Sequence, residues 1–154
     1  MTVKRNIHPL PFSEKYGDKF IELYGTTTVR VGSGISPELI SLWDELLSNF
    51  TAGTVRINAV YDGIVPPFCA VIGEKTPVIP ADEYSYSVHT DENGVALESK
   101  DLEGIRYAFY TFLQLLQRRG DDHITAYALP YCEILDKPCM EFRGIHFCIF
   151  PDTT

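Results

Sequence analysis

Tyr84-Ser-Tyr-Ser-Val-His-Thr90, Asp91-Glu-Asn-Gly94, Val95-Ala-Leu-Glu98 and Asp101-Leu-Glu-Gly-Ile-Arg-Tyr-Ala-Phe-Tyr-Thr-Phe-Leu-Gln-Leu-Leu116 carry the strongest structural signals of this 154-residue chain. Aromatic and β-branched residues on either side of Asn93-Gly94 predict a hairpin, the Asn-Gly pair supplying the positive φ angles that tight turns use. A helix is then expected from about Asp101 to Arg119. Leu102, Ile105, Ala108, Phe109, Phe112, Leu113 and Leu116 recur every three or four residues, a broad stripe that needs a core to face. Gly120 reads as its stop.

The same logic extends outward. Toward the N-terminus, the Pro-rich opening reads as an extended lead-in with a turn near Gly17. Phe20–Leu23 and Thr27–Val31 read as short strands. Ser36-Pro37 is a helix start, since Ser accepts from free N–H groups and Pro fits the first turn. Leu39, Ile40, Trp43, Leu46, Leu47 and Phe50 form that helix's apolar face. Thr54–Val60 alternates as a strand, and Cys69–Ile72 is a further short one. On the C-terminal side, Ile124–Leu129 is predicted as a strand ended by Pro130. The expected fold is α+β, a mixed sheet of about six strands with two main helices packed on one face.

Composition narrows the functional classes. A net charge of −8 with no basic cluster larger than Arg118-Arg119 argues against nucleic acid, because phosphate binding needs a basic surface. No run approaches the apolar length of a membrane helix. The N-terminus does not read as a signal peptide, which leaves a cytoplasmic protein or one whose leader has been removed. Cys69, Cys132, Cys139 and Cys148 match no zinc spacing and read as buried free thiols, with a Cys132–Cys139 bridge open in an oxidising compartment. No metal or cofactor site and no catalytic residue is expected. Glu38, Asp44 and Glu45 read as solvated charge on the first helix. His89 reads as an ordinary strand histidine, His146 and Cys148 as a core pair. Tyr84, Tyr86, Tyr107, Tyr110, Tyr127 and Tyr131 read as sheet packing.

Phe142 to Phe150 is apolar except for Arg143, Gly144 and His146, which suits a strand buried on both faces, as in a parallel sheet or barrel. The expected organisation is therefore an accessory α+β domain over residues 1–138, with the start of a (β/α)8 barrel over 139–154.

Taken together, Glu83-Tyr84-Ser-Tyr-Ser-Val88, Gly94-Val-Ala-Leu-Glu-Ser99, Gly104-Ile-Arg-Tyr-Ala-Phe-Tyr-Thr-Phe-Leu-Gln-Leu-Leu116, Ile134-Leu-Asp136-Lys-Pro138 and Phe142-Arg143-Gly144 resemble a known pattern. It is the accessory domain that precedes the barrel in family 20 glycoside hydrolases, the β-N-acetylhexosaminidases. The resemblance covers roughly residues 80 to 150. Similar front domains precede the barrels of α-glucuronidases and O-GlcNAc-type hexosaminidases. It implies a non-catalytic domain that packs against and stabilises its own C-terminal barrel, with a carbohydrate as the substrate of the longer protein. That barrel would carry an Asp-Glu pair, beyond Thr154, which uses the substrate's 2-acetamido group as nucleophile. Arg143 matches an arginine that binds hydroxyls of the terminal sugar in the full-length protein, a task suited to its rigid fork of donors. The other reading of Arg143 is an ion pair with Asp136 or Glu141. Where the family has Leu-Asp, this chain has Phe147-Cys148, so that acid is missing. The remaining alternative is a stand-alone carbohydrate-binding or protein-interaction module.

Overall fold

The computed structural model describes residues 7, 9–119, 126–139 and 144. Eight strands and two helices follow one another: β1 (Ser13–Leu23), β2 (Gly25–Val31), α1 (Pro37–Phe50), β3 (Val55–Val60), β4 (Cys69–Gly73), β5 (Tyr86–Asp91), β6 (Gly94–Ser99), α2 (Leu102–Leu115), β7 (Gln117–Arg119) and β8 (Ala126–Asp136). The sheet runs β1-β8-β5-β6-β4-β2-β3, with β7 alongside the start of β8. Every pairing is antiparallel except β2–β3, where α1 provides the crossover that a parallel pair requires. The α+β class and the mixed sheet are as expected, with eight strands in place of six.

Both helices lie on one face and share a core with it. Trp43 of α1 stacks on Phe109 of α2 with ring centroids 4.5 Å apart, and Phe112 continues the stack at 5.8 Å. Val88, Val95, Leu97 and Ile134 rise from the sheet into the same cluster. The helix starts are built as the residues dictate. The Ser36 hydroxyl accepts from the Leu39 N–H, and Pro37 opens the first turn. Asp101 caps α2 by accepting from the Gly104 N–H at 2.7 Å. Leu102 is not part of the buried stripe, which starts at Ile105 and includes Leu115.

Several expectations change. Helix α2 stops at Leu115, because Gln117–Arg119 leaves the helix to pair with Ala126–Ala128. Arg119 then sits 5.0 Å over the Phe20 ring and 3.7 Å from Glu22, contacts a helix would forgo. Gly120 lies outside the described residues. Strand β8 passes through Pro130 instead of ending there. Pro130 falls between the stretch bonded to β7 and the stretch bonded to β5, and beside the irregularity of β1 between Tyr16 and Phe20. A missing N–H costs little at such a break in the ladder. The turn expected near Gly17 is that irregularity, and β1 already begins at Ser13.

The hairpin is present, but its two loop residues are Glu92 and Asn93, and neither has positive φ. Gly94 is the first residue of β6, at φ 134°, and a Cβ there would lie 1.9 Å from the Ile72 carbonyl oxygen. Its glycine serves the close approach of β4 as well as the turn.

Asp44 is also more than solvated charge. It accepts from the Arg56 guanidinium and, at 2.8 Å, from the Ile57 N–H, while Thr51 Oγ1 accepts from the Val55 N–H. Strand β3 ends the sheet, so these side chains occupy backbone donors that would otherwise recruit another strand.

Candidate functional site

Asp136 organises the end of β8. Its Oδ1 accepts from the Phe12 N–H at 3.1 Å and the Lys137 N–H at 2.9 Å, and its Oδ2 accepts from the Tyr86 hydroxyl at 3.2 Å. The Tyr86 hydroxyl also meets Thr111 Oγ1 at 2.6 Å, and burial pushes its phenol well above the usual range. One carboxylate thus ties the lead-in to β1, the exit from β8 and the first residue of β5 together. Asp136→Ala is expected to cost about 0.5–1.5 kcal/mol, since the Phe12 and Lys137 N–H groups can turn to water and Tyr86 keeps Thr111. It should also speed hydrogen exchange at the Phe12 amide. An unchanged exchange rate there would refute the clamp.

Beside this end, Tyr84, Tyr107 and Tyr110 rim a cleft of about 250 Å³, with Tyr86 and Thr111 beneath and Ile7, Pro9 and Pro138 on the far side. The three rim tyrosines are 49%, 36% and 48% exposed. They do not pack the sheet as the sequence suggests; only Tyr86 and Tyr127 of the six are buried. Tyr84 holds a left-handed backbone, φ 57°, unusual for a bulky residue. Its N–H donates to Asp101 Oδ2 at 2.7 Å, so the residue that caps α2 also fixes this loop.

The other sequence-derived candidates sit elsewhere. Arg143, Glu141, His146 and Cys148 lie outside the described residues, so the two readings of Arg143 stand as they were. Asp136 already accepts three hydrogen bonds. Cys69 and Cys132 are buried thiols pushed up to about 11 by desolvation, hence unreactive at neutral pH. Cys139 is exposed, not buried as expected, and is not bridged to Cys132. Among the described residues, no three His, Cys, Asp or Glu side chains are placed to hold a metal. None of their helices is long and apolar enough to cross a membrane.

No model of a known protein family matches the chain, and no curated protein matches it. Solved structures do. A GH20 exo-β-N-acetylglucosaminidase from Vibrio harveyi, in complex with N-acetylglucosamine, matches 91% of this chain with 20% of its own at 21% identity and a TM-score of 0.64. The Flavobacterium johnsoniae chitobiase matches 91% of this chain with 22% of its own, at 19% identity and a TM-score of 0.57. The structure of CpGH84B matches 96% with 26%, at 20% identity and a TM-score of 0.58. This chain therefore spans about a fifth to a quarter of the proteins it matches, and its fold is that of the corresponding segment of the GH20 β-N-acetylglucosaminidases.

Proposed function

We propose that the chain is the non-catalytic front domain of a glycoside hydrolase, of β-N-acetylhexosaminidase type, and that its tyrosine-rimmed cleft packs against the catalytic barrel. The observation that carries this reading is the position of the cleft. Three exposed tyrosines and a tied-down strand end meet where the chain leaves β8 toward the apolar run Phe142–Phe150. Exposed aromatic clusters of this kind are typical of surfaces that another folded unit covers. The likeness in fold to part of the GH20 enzymes supports the same reading. The chemistry would then belong to the barrel, and Arg143 would bind sugar hydroxyls only there.

The test is hydrolysis of a chromogenic β-N-acetylglucosaminide by the 154-residue chain and by the full product of its gene. Activity in the longer product alone is the expected result. Activity in the 154-residue chain would overturn it, as would a gene that ends at Thr154. A second reading, a stand-alone carbohydrate-binding module, draws on the same exposed tyrosines, since aromatic faces also stack on sugar rings. Saturable quenching of tyrosine fluorescence by N-acetylglucosamine in the isolated chain would favour it.

A further inference from the structure

The face of the sheet opposite the helices carries a second concavity, of about 330 Å³, that the barrel reading does not use. Strand register arranges its floor in two rows. One runs Ser13, Leu135, Ser87, Glu98 across β1, β8, β5 and β6; the next runs Lys15, Glu133, His89 across β1, β8 and β5. The segment after β4 forms the wall. It is held by an ion pair of Lys75 with Asp91 at 2.6 Å, by the Glu74 N–H donating to the Asn93 carbonyl at 2.8 Å, and by the Val78 N–H donating to Glu98 Oε1 at 3.1 Å. Val78, Ile79 and Pro80 therefore stand over the floor as a preformed apolar edge.

Glu98 is only 2% exposed and is bonded to the Ser87 hydroxyl and the Val78 N–H. Burial raises its carboxyl, so the neutral form persists to higher pH than for a free glutamate. Its carboxyl oxygens accept from the Ser87 hydroxyl and the Val78 N–H, so Ser87 Oγ offers the cavity its lone pairs. His89 Nε2 lies 3.5 Å from Glu133 and 3.9 Å from Asp91, partners that spacing along the chain did not reveal. Lys15 faces Glu133 directly across the β1–β8 pair, so these two exposed charges offset, while Glu98 is buried beneath its bonds to Ser87 and Val78.

We infer that this cavity binds a small neutral polyol, of the size of one or two sugar rings. The lining offers interleaved donors and acceptors at Ser87, His89, Glu133 and Lys15, which suits hydroxyls that both give and accept hydrogen bonds. The Val78–Pro80 edge and Leu135 offer an apolar surface for ring C–H groups. With its exposed charges offset, the floor gives an ionic ligand little advantage over a neutral one. The volume lies at the small end of the range for ligand sites, about 300–1,000 Å³. The inference is independent of the barrel reading, because the tyrosine cleft is a separate surface.

Amide chemical shifts of the 154-residue chain, titrated with glucose, N-acetylglucosamine and their β-1,4-linked dimers, test it. Glucuronate, glucosamine and glucose 6-phosphate serve as charged counterparts. The expected result is a saturable millimolar shift at Ser87, His89, Glu98 and Glu133, with charged counterparts weaker by about tenfold. Ser87→Ala should remove the shift, and Leu135→Trp, at a partly exposed position, should block it without touching the core. No saturable shift overturns the site. Equal or tighter binding of a charged counterpart overturns the ligand class, and shifts confined to Tyr84, Tyr107 and Tyr110 place the sugar on the other surface.

Discussion

Replacing Phe109 by alanine is expected to cost the fold about 3–5 kcal/mol, as for other fully buried aromatic side chains. Phe109 is the contact between the helices: Trp43 stacks on one side, Phe112 on the other, and the sheet lies beneath. A void of about 30 Å³ already borders it between helices and sheet, so truncation would enlarge an existing cavity in place of a space that neighbours could close. Domains of this size are stable by only about 5–15 kcal/mol, so the midpoint of urea unfolding should fall sharply. Trp43 is the chain's single tryptophan, and its emission should shift to the red as its stacking partner disappears. Phe109→Leu, which keeps most of the volume, should lose less than half as much. A midpoint for Phe109→Ala close to that of the unmodified chain would mean that the helices are held by something else.

Gly104→Ala is expected to destabilise by about 1–3 kcal/mol, the usual range for forcing atoms into a packed site. The sign is the informative part. Glycine within a helix ordinarily costs about 1 kcal/mol relative to alanine, so propensity alone predicts a gain. Here a Cβ would lie 2.0 Å from Ser99 Oγ and 2.6 Å from the Ser85 carbonyl oxygen. Neither can yield easily. The Ser99 hydroxyl donates to that same carbonyl at 2.8 Å and accepts from the Asp101 N–H at 3.3 Å, and both serines are buried. The start of α2 rests directly on the ends of β5 and β6, and alanine would push it away. Thermal unfolding decides the matter: a melting temperature equal to or above that of the parent chain would show that the approach is not as close as described.

How much of this could be read from the chain depends on the range of the forces involved. Helix α1 was legible because its signals are local: the Ser36 cap, Pro37, and an apolar face that Trp43 and Leu47 bury as spaced. The β5–β6 hairpin was legible too, although the residues in its turn were misplaced by one. The site was read less well. The tyrosines at 84, 107 and 110 look like core residues in a linear reading, since aromatic content alone says nothing about which side of a helix or strand end is covered. Asp136 was singled out only within Ile134–Pro138 and as a candidate partner of Arg143, and its three hydrogen-bond partners are 124, 50 and 1 residues away.

The class of the fold, the identity and starts of both helices, and the strands whose periodicity is uninterrupted are written in the local order of residues. Those features follow from propensity, capping and period, which act within a few residues. Tertiary structure alone decided that Gln117–Arg119 becomes a strand, that β8 continues through Pro130, and that Lys15, Glu133 and His89 share one row. Each of these depends on a backbone or side-chain partner supplied by another strand, and sheet pairing across long separations leaves no mark in the local pattern of either partner.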